Sequence, residues 1–285
     1  MRVLMRLLLA GGLALSLSAA RAEDRYFTAS DGVRLHYLEQ GGGRSLLFIP
    51  GWTMPAAIWA PQIEFFSKHY RVIAFDPRSQ GMSAIARSGH TPERRAQDIR
   101  ELISAAQVDP PVIVGWSLAV LEALAYVERY GDAHHAALVL VDNSVGEEPA
   151  PKPSKSGYSL IAELRKDRVA TVHQFVRSMY RTPQSAEYLQ SIEQASLHTP
   201  LQASIDLLSY SWPRTRWRDA LYATRRPVMY VVTPQFALQA AAVNRKRTDI
   251  RTAVVESVGH ALFVDDAARF NSLLQQFIET LPRPG

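Results

Sequence analysis

The stretch that decides the fold is Val112-Ile113-Val114-Gly115-Trp116-Ser117-Leu118-Ala119-Val120. Its first three residues are typical of a buried strand, and the pattern from Leu118 to Tyr130 is that of a helix. Ser117 therefore stands on a strand-to-helix turn, which projects a serine hydroxyl out of a sheet. The small residues Gly115 and Ala119 let strand and helix approach closely. A plain helix N-cap needs neither small neighbour, so we interpret Ser117 as a nucleophile.

On both sides of this turn, apolar strand-like segments alternate with helical patterns. The alternation predicts an α/β fold with a mostly parallel sheet and helices on both of its faces. Ser30-Asp31-Gly32 indicates a hairpin turn near the start, and Thr91 with Pro92 indicates the capped start of a helix. The predicted strands are 25–29, 33–39, 45–50, 71–75, 111–115, 137–141, 227–232 and 252–254, and the predicted helices are 58–69, 92–106, 118–130 and 261–281.

The alternation stops between Gly146 and Ala223, where the pattern becomes helical and is interrupted by six prolines. We predict an inserted helical cap over residues 146–223 rather than an independent domain. The α/β core then consists of residues 23–145 and 224–285.

Residues 1–22 have the features of a secretory signal peptide. Two arginines precede an apolar stretch of fourteen residues, 7–20, which is shorter than the roughly 20 residues of a membrane-spanning helix. Ala20-Arg21-Ala22 is typical of a cleavage site. We expect cleavage after Ala22, a periplasmic or secreted protein, and no stable membrane anchor in the mature chain.

Composition excludes several classes of function. The 285 residues carry a net charge of +5 and no cysteine, which excludes disulfides, thiolate catalysis and cysteine-ligated metals. Cleavage after Ala22 would lower the charge to +2, and no basic cluster with interleaved aromatics indicates nucleic-acid binding. The sequence has no metal-ligand spacing and no G-x-G-x-x-G after a strand, so we expect neither metal nor cofactor. The oligomeric state stays open.

A serine hydroxyl is a weak nucleophile and needs a neighbouring base. Of the eight histidines, only His260 is predicted on a strand-to-helix loop at the carboxyl edge of the sheet, where it can act as that base. Asp265 and Asp266 follow it closely, but we expect them to point away, one turn into the last helix.

Together these features resemble the α/β-hydrolase family over the whole mature chain. Residues 76–83 are similar to the family's D-x-R-G-x-G-x-S loop, with Ser79 in place of a glycine. The turn around Trp116 and Ser117 is similar to that of cofactor-free haloperoxidases and arylesterases, although Ala119 stands where glycine is common. The matching segments are 48–52, 76–83, 115–119, 217–219 and 259–260.

The resemblance implies an acid that orients His260. Most members carry it after the strand matching 227–232, where this sequence has Gln235 and no carboxylate before Asp249. Other members carry it after the strand that follows the nucleophile helix, and Asp142 stands there. We predict Asp142 as the third triad member, which also matches the family's order of serine, acid and histidine.

Acyl transfer also requires donors for the oxyanion that develops on the substrate. The residue after the nucleophile, Leu118, supplies one backbone N–H. The resemblance places the second on Trp52, two residues after Pro50, which replaces a histidine common in the family.

The resemblance implies a serine hydrolase that cleaves a small to medium carboxylic ester or lactone through an acyl-enzyme, and the signal-peptide pattern implies that it is exported. Three alternatives stay open. A proline iminopeptidase-like aminopeptidase could offer a substrate amine Glu147, Glu148 or Glu163 of the cap. The elbow at Trp116 also suits a haloperoxidase-like perhydrolase, and the unusual acid position suits a ligand-binding protein with little turnover. Epoxide hydrolases and haloalkane dehalogenases need an aspartate where this chain has a serine.

Overall fold

The computed structural model describes residues 21–108, 110–150 and 157–282, apart from the side chains of 157–159. Most of the predicted signal peptide, residues 1–20, lies outside this described part. The described residues form eight strands, each of which corresponds to a predicted one within about two residues at either end. The strands are β1 (Glu23–Thr28), β2 (Arg34–Gln40), β3 (Ser45–Ile49), β4 (Arg71–Asp76), β5 (Val112–Trp116), β6 (Ala137–Val141), β7 (Val228–Val232) and β8 (Arg251–Val254).

All eight strands belong to one sheet in the order β1-β2-β4-β3-β5-β6-β7-β8. The β1–β2 hairpin is antiparallel and joins β4 antiparallel, whereas the strands from β4 to β8 run parallel. In the register, Trp116 of β5 pairs with Val141 of β6, and Val141 pairs with Val231 of β7. The residues that follow these central strands therefore meet at one edge of the sheet.

Helices cover both faces of the sheet, as the α/β prediction requires. Alternate strand residues enter opposite apolar clusters, so Val112 and Val114 pack on one face and Ile113 on the other. The described α-helices are α1 (Ala60–Phe66), α2 (Pro92–Ala105), α3 (Leu118–Tyr130), α4 (Gly157–Lys166), α5 (Arg168–Ser178), α6 (Ala186–His198), α7 (Leu201–Leu208), α8 (Arg214–Ala223), α9 (Ala237–Lys246), α10 (Leu262–Asp265) and α11 (Ala267–Glu279). None of the described helices is long and apolar enough to cross a membrane.

Two predicted helices differ from the observed ones. The segment predicted as helix 58–69 starts as a 3-10 turn, Ala56–Trp59, and becomes α-helical only over α1. The predicted final helix 261–281 is interrupted at Asp266, whose φ of −134° is not helical. The Asp266 side chain accepts the backbone N–H of Arg269 at 3.0 Å. It therefore caps α11 as a separate helix, because a short polar side chain competes with the backbone for these bonds.

Five helices, α4 to α8, lie between β6 and β7 in the chain. Two side-chain contacts join this segment to the loop after β3: the Trp52 indole N–H donates to the Ser204 carbonyl at 2.8 Å, and the Thr53 and Ser196 hydroxyls are 2.7 Å apart. In contrast, Trp217 of α8 packs into the same apolar cluster as α3. The helices α4 to α7 thus form the cover over the edge of the sheet where β3, β5 and β6 end.

Candidate active site

Ser117 occupies the strained turn between β5 and α3. Its φ of 55° and ψ of −121° lie in a region that non-glycine residues rarely adopt. The backbone N–H of Ser117 donates to the Val141 carbonyl at 2.8 Å and ties the turn to the end of β6. A Cβ on Gly115 would lie 2.6 Å from the Ala119 carbonyl oxygen. Glycine is therefore required at 115, while the methyl group of Ala119 is accommodated in the core.

The structure brings Ser117, His260 and Asp142 together in one hydrogen-bonded chain. The Ser117 hydroxyl lies 2.8 Å from His260 Nε2 and can donate to it. His260 Nδ1 lies 2.8 Å from Asp142 Oδ2 and donates to it in the tautomer protonated at Nδ1. The Asp142 side chain is 1% exposed and that of His260 is 30% exposed, so the acid is sealed behind a histidine that substrate can reach.

Asp142 is held in place by the strands on either side of it. Its backbone has a φ of 50°, and its N–H donates to the Val231 carbonyl at 2.9 Å. Its Oδ1 accepts the Thr233 N–H at 2.7 Å, which leaves Oδ2 for His260. Gln235 lines the adjacent pocket, on the segment where most of the family carries its acid. The two oxygens of Asp142 thus have separate partners, one structural and one on the histidine.

The predicted oxyanion donors are the backbone N–H groups of Trp52 and Leu118. Leu118 directly follows Ser117, and Trp52 directly follows Gly51. Gly51 is in close contact with the serine, because a Cβ on Gly51 would lie 2.8 Å from the Ser117 Cβ. Neither N–H has a hydrogen-bond partner among the described residues. Leu118 is the first residue of α3, so its N–H lies at the N-terminus of the helix, which is the positive end of the helix dipole. Their role as donors to an oxyanion bound next to Ser117 stays a prediction.

Asn143 is a contributor that sequence reasoning missed. Its side-chain amide donates to the Ser117 carbonyl at 2.8 Å, and its own carbonyl accepts the Tyr230 hydroxyl at 2.7 Å. The residue therefore links the nucleophile turn to β7. Its position directly after Asp142 was the one available signal in the sequence.

The His260 loop is anchored by Asp265. The carboxylate of Asp265 accepts the Gly259 N–H at 2.6 Å, the Arg181 N–H at 2.8 Å and the Thr182 hydroxyl at 2.6 Å. The expectation that Asp265 points away from His260 is wrong for its carboxylate, which turns back onto the histidine loop at the Gly259 N–H. The residue thereby joins the histidine loop to the linker between α5 and α6. This role depends on contacts with the cap, so the local sequence does not indicate it.

We expect Asp265→Ala to lower kcat on an ester about tenfold, because loosening of a catalytic loop by ~1 Å costs up to about a hundredfold. The matched control is Asp266→Ala, which removes the cap of α11 and should cost about 1 kcal/mol of stability. Initial rates and thermal unfolding of both variants measure the two effects. Equal kcat values in the two variants would contradict the anchoring role of Asp265.

A pocket of about 470 Å³ opens above Ser117 and His260. This size is within the range of small-molecule sites. Leu160, Phe175 and Met179 of the cap supply apolar walls, whereas Glu163 and Gln174 supply polar groups. The full lining is Ser117, Asp142, Asn143, Leu160, Glu163, Thr171, Gln174, Phe175, Ser178, Met179, Gln235, Phe236 and His260.

The three acidic residues considered for binding an amine are placed differently. Glu147 is buried and receives hydrogen bonds from Tyr222 and, at 2.9 Å, from Lys246. Burial alone would raise the pKa of its carboxyl group, but these hydrogen bonds outweigh burial and lower the pKa to about 2. Glu148 does not line the pocket, whereas Glu163 does. Only Glu163 of the three could meet a substrate amine in this arrangement.

Two other features lack the geometry of a second active site. Ser79 also has a positive φ, 63°, and its hydroxyl lies 3.0 Å from His90 Nε2, but both side chains are buried away from the pocket. Burial and the nearby charge of Arg95 lower the pKa of His90 to about 4. A larger cavity, about 880 Å³, lies beside His36 and Asp76, which are hydrogen-bonded to each other at 2.7 Å. The described residues contain no cluster that could hold a metal ion.

Comparison with known proteins agrees with this architecture. The model of the alpha/beta hydrolase family matches residues 46–273. A non-heme haloperoxidase from Rhodococcus erythropolis is 35% identical over 117 residues, which are 41% of this chain but only 43% of that protein. A pimeloyl-[acyl-carrier protein] methyl ester esterase from Xylella fastidiosa is 26% identical and covers 86% of this chain and 100% of its own length. The structure of an esterase from Exiguobacterium antarcticum shares the fold with a TM-score of 0.78 at 20% identity, over 90% of this chain and 100% of that one.

Proposed function

Since this chain belongs to the alpha/beta hydrolase family, we propose that it hydrolyses a small to medium carboxylic ester or lactone through a covalent acyl-enzyme. The observation that carries the proposal is the continuous hydrogen-bonded chain from Ser117 through His260 to Asp142 at the base of a pocket. Such a chain activates a hydroxyl that is otherwise a poor nucleophile.

In the acylation step, Ser117 Oγ attacks the carbonyl carbon while His260 Nε2 takes the hydroxyl proton. Asp142 holds the imidazole with Nδ1–H toward itself and stabilises the positive charge that forms on it. The carbonyl oxygen becomes negative and receives the N–H groups of Trp52 and Leu118. As the intermediate collapses, the bond to the leaving alcohol breaks and His260 returns the proton to that oxygen.

Deacylation repeats the same proton transfers with water in place of the serine. His260 accepts a proton from the water as its oxygen attacks the acyl carbon, and then returns that proton to Ser117 Oγ as the acid leaves. With a lactone, the leaving alcohol stays tethered to the acyl group and the product is a hydroxy acid. Apolar walls around Phe175 and Met179 suit the acyl or alcohol portion of such substrates.

Perhydrolysis is a second candidate, favoured by the similarity to the Rhodococcus haloperoxidase. It uses the same acyl-enzyme, which hydrogen peroxide attacks instead of water to release a peracid. The chemistry before that step is identical. Peroxide competition against water therefore distinguishes the two activities.

A substrate panel on the mature protein tests the proposal. The panel contains p-nitrophenyl esters of increasing acyl length, simple lactones, prolyl p-nitroanilide, and acetate with hydrogen peroxide. We expect turnover of esters or lactones above that of the anilide, and a loss of at least about 10⁴-fold in Ser117→Ala. A preference for the prolyl anilide over every ester would contradict ester hydrolysis and would point to Glu163 as the amine-binding group. A panel without turnover would favour the ligand-binding alternative.

Export is the remaining part of the proposal. The support is the signal-like pattern of residues 1–22, together with the start of β1 at Glu23. Cleavage after Ala22 would leave the whole β1–β2 pairing intact, since its first pair joins Glu23 to Glu39. N-terminal sequencing of the exported protein should begin at Glu23, and a first residue within 1–20 would contradict this cleavage.

A further inference from the structure

Gln80 lies behind the loop that carries Trp52, in a segment to which the reaction assigns no role. Its side chain is fully buried. The amide nitrogen donates to two carbonyl oxygens of that loop, Gly51 O at 2.9 Å and Met54 O at 2.8 Å. One side chain thus holds both ends of the four-residue turn 51–54.

The bond from Gln80 to the Gly51 carbonyl bears on the direction of the Trp52 N–H, the proposed oxyanion donor. The Gly51 carbonyl and the Trp52 N–H belong to the same planar peptide unit, and in a trans peptide they point in opposite directions. Holding the Gly51 oxygen toward Gln80 therefore aims the Trp52 N–H away from Gln80. Gly51 is also in close contact with Ser117, next to which the oxyanion would form, because a Cβ on Gly51 would lie 2.8 Å from the Ser117 Cβ.

The turn needs an external anchor because it is strained. Thr53 has a φ of 57°, a conformation that costs a non-glycine residue on the order of 1 kcal/mol or more. The backbone bond from Met54 N–H to Gly51 O is 3.2 Å long. The Gln80 amide supplements that bond at both ends of the turn.

Gln80 is itself held in one orientation by a buried chain of charged and polar groups. Arg95 Nη2 donates to Gln80 Oε1 at 2.9 Å, and Arg95 Nε donates to Glu122 Oε1 at 2.8 Å. The Tyr210 hydroxyl donates to the same Glu122 oxygen at 3.1 Å. Because a guanidinium can only donate, the amide oxygen must face Arg95 and the amide nitrogen must face the loop.

We infer that Gln80 is a positioning residue that orients the Trp52 N–H for the oxyanion, an inference that rests on the proposed acyl-enzyme function. Gln80 does not touch the substrate. It acts through the Gly51–Trp52 peptide, and it should affect the transition state more than substrate binding.

The test compares p-nitrophenyl acetate with its thionoacetate analogue in Gln80→Met, which keeps the side-chain volume and removes the donor. Sulfur accepts hydrogen bonds poorly, so the thiono substrate gains little from an oxyanion hole. Loss of a whole oxyanion donor costs about 10²- to 10³-fold, and misorientation of one should cost about 10- to 100-fold in kcat on the oxygen ester, with KM nearly unchanged. The ratio of kcat/KM between oxygen and thiono esters should fall by about tenfold or more.

The matched control is Gln62→Met. Gln62 is an equally buried glutamine that donates to the Phe263 carbonyl at 2.8 Å, away from the Trp52 loop. Its loss should lower stability and leave the oxygen-to-thiono ratio within about twofold of the wild type. Gln80→Asn, whose shorter side chain cannot reach both carbonyls, provides a second variant with the amide retained.

An oxygen-to-thiono ratio unchanged in both Gln80 variants, with equal losses on both esters, would overturn the positioning role. Wild-type turnover that disappears in Ser117→Ala establishes the serine mechanism separately, so such a result would count against Gln80 alone. Persistent turnover in Ser117→Ala would overturn the proposed function and this inference with it.

Discussion

Ser117→Ala is expected to reduce kcat on p-nitrophenyl acetate by about 10⁴- to 10⁶-fold, the largest effect of any single substitution in this protein. The variant lacks the hydroxyl that the proposed mechanism uses to form the acyl-enzyme, while His260 and Asp142 keep their mutual bond. The residual rate would come from the oxyanion donors and from binding alone. Stability should change little, since alanine fills the same turn. Initial-rate kinetics with circular dichroism and thermal unfolding measure both quantities.

Ser79→Ala is the matched control for this prediction. It also removes a hydroxyl hydrogen-bonded to a histidine at a residue of positive φ, but one that does not line the pocket. We expect its kcat to stay within about fivefold of the wild type, on the scale of a single lost hydrogen bond. Loss of activity in Ser79→Ala together with retention in Ser117→Ala would contradict the assignment of Ser117 as the nucleophile.

Asp142→Asn should lower kcat by about 10³- to 10⁴-fold through the histidine tautomer. The Thr233 N–H requires an acceptor from this side chain, so the asparagine oxygen would stay on Thr233 and its amide nitrogen would face His260. That nitrogen donates to Nδ1 and forces the imidazole proton onto Nε2. His260 could then no longer accept the Ser117 proton. Steady-state kinetics on the same ester measure the loss.

Gln235→Ala is the comparison for the acid. Gln235 lies where most of the family places its carboxylate, and it lines the pocket without joining the triad chain. We expect a change of less than about tenfold, mainly in KM, because the substitution alters binding surface alone. If only the Gln235 change lowered turnover, the assignment of the triad acid to Asp142 would be wrong.

The central part of the site could be predicted because its signals are local. A buried strand that runs straight into a helix places Ser117 on a strained turn, and both small neighbours are adjacent in sequence. The prediction of Asp142 rested on the resemblance to family members with the acid after the next strand. The observed register of Trp116 with Val141 places Asp142 at the same edge of the sheet as Ser117.

The supporting groups could not be predicted because their partners are distant in sequence. Asp265 bonds Arg181 and Thr182 across 84 and 83 residues, and Gln80 bonds Gly51 across 29. Only the folded cap and core bring these groups together. The break of the final helix at Asp266 was not predicted for a local reason. Within an apolar helical pattern, an aspartate that caps a new helix cannot be distinguished from an exposed aspartate inside one long helix.

The cap also supplies part of the lining of the pocket above Ser117. Helices α4 and α5 contribute both apolar and polar side chains to the pocket, and Trp52 and Thr53 bond to α7 and α6. The loop that carries a proposed oxyanion donor is therefore held from two directions, by Gln80 on the core side and by the cap on the other. In the proposed mechanism, substrate binding and transition-state stabilisation would share this structural support.

The most direct test of the account is mass spectrometry of the native protein after reaction with a fluorophosphonate, which forms a bond from serine oxygen to phosphorus as fluoride leaves. We predict a single adduct that maps to the peptide containing Ser117, is absent in Ser117→Ala, and forms more slowly in the presence of p-nitrophenyl acetate. No adduct on the folded wild-type protein, or an adduct that persists in Ser117→Ala, would contradict the assignment of this chain as a Ser117-dependent hydrolase.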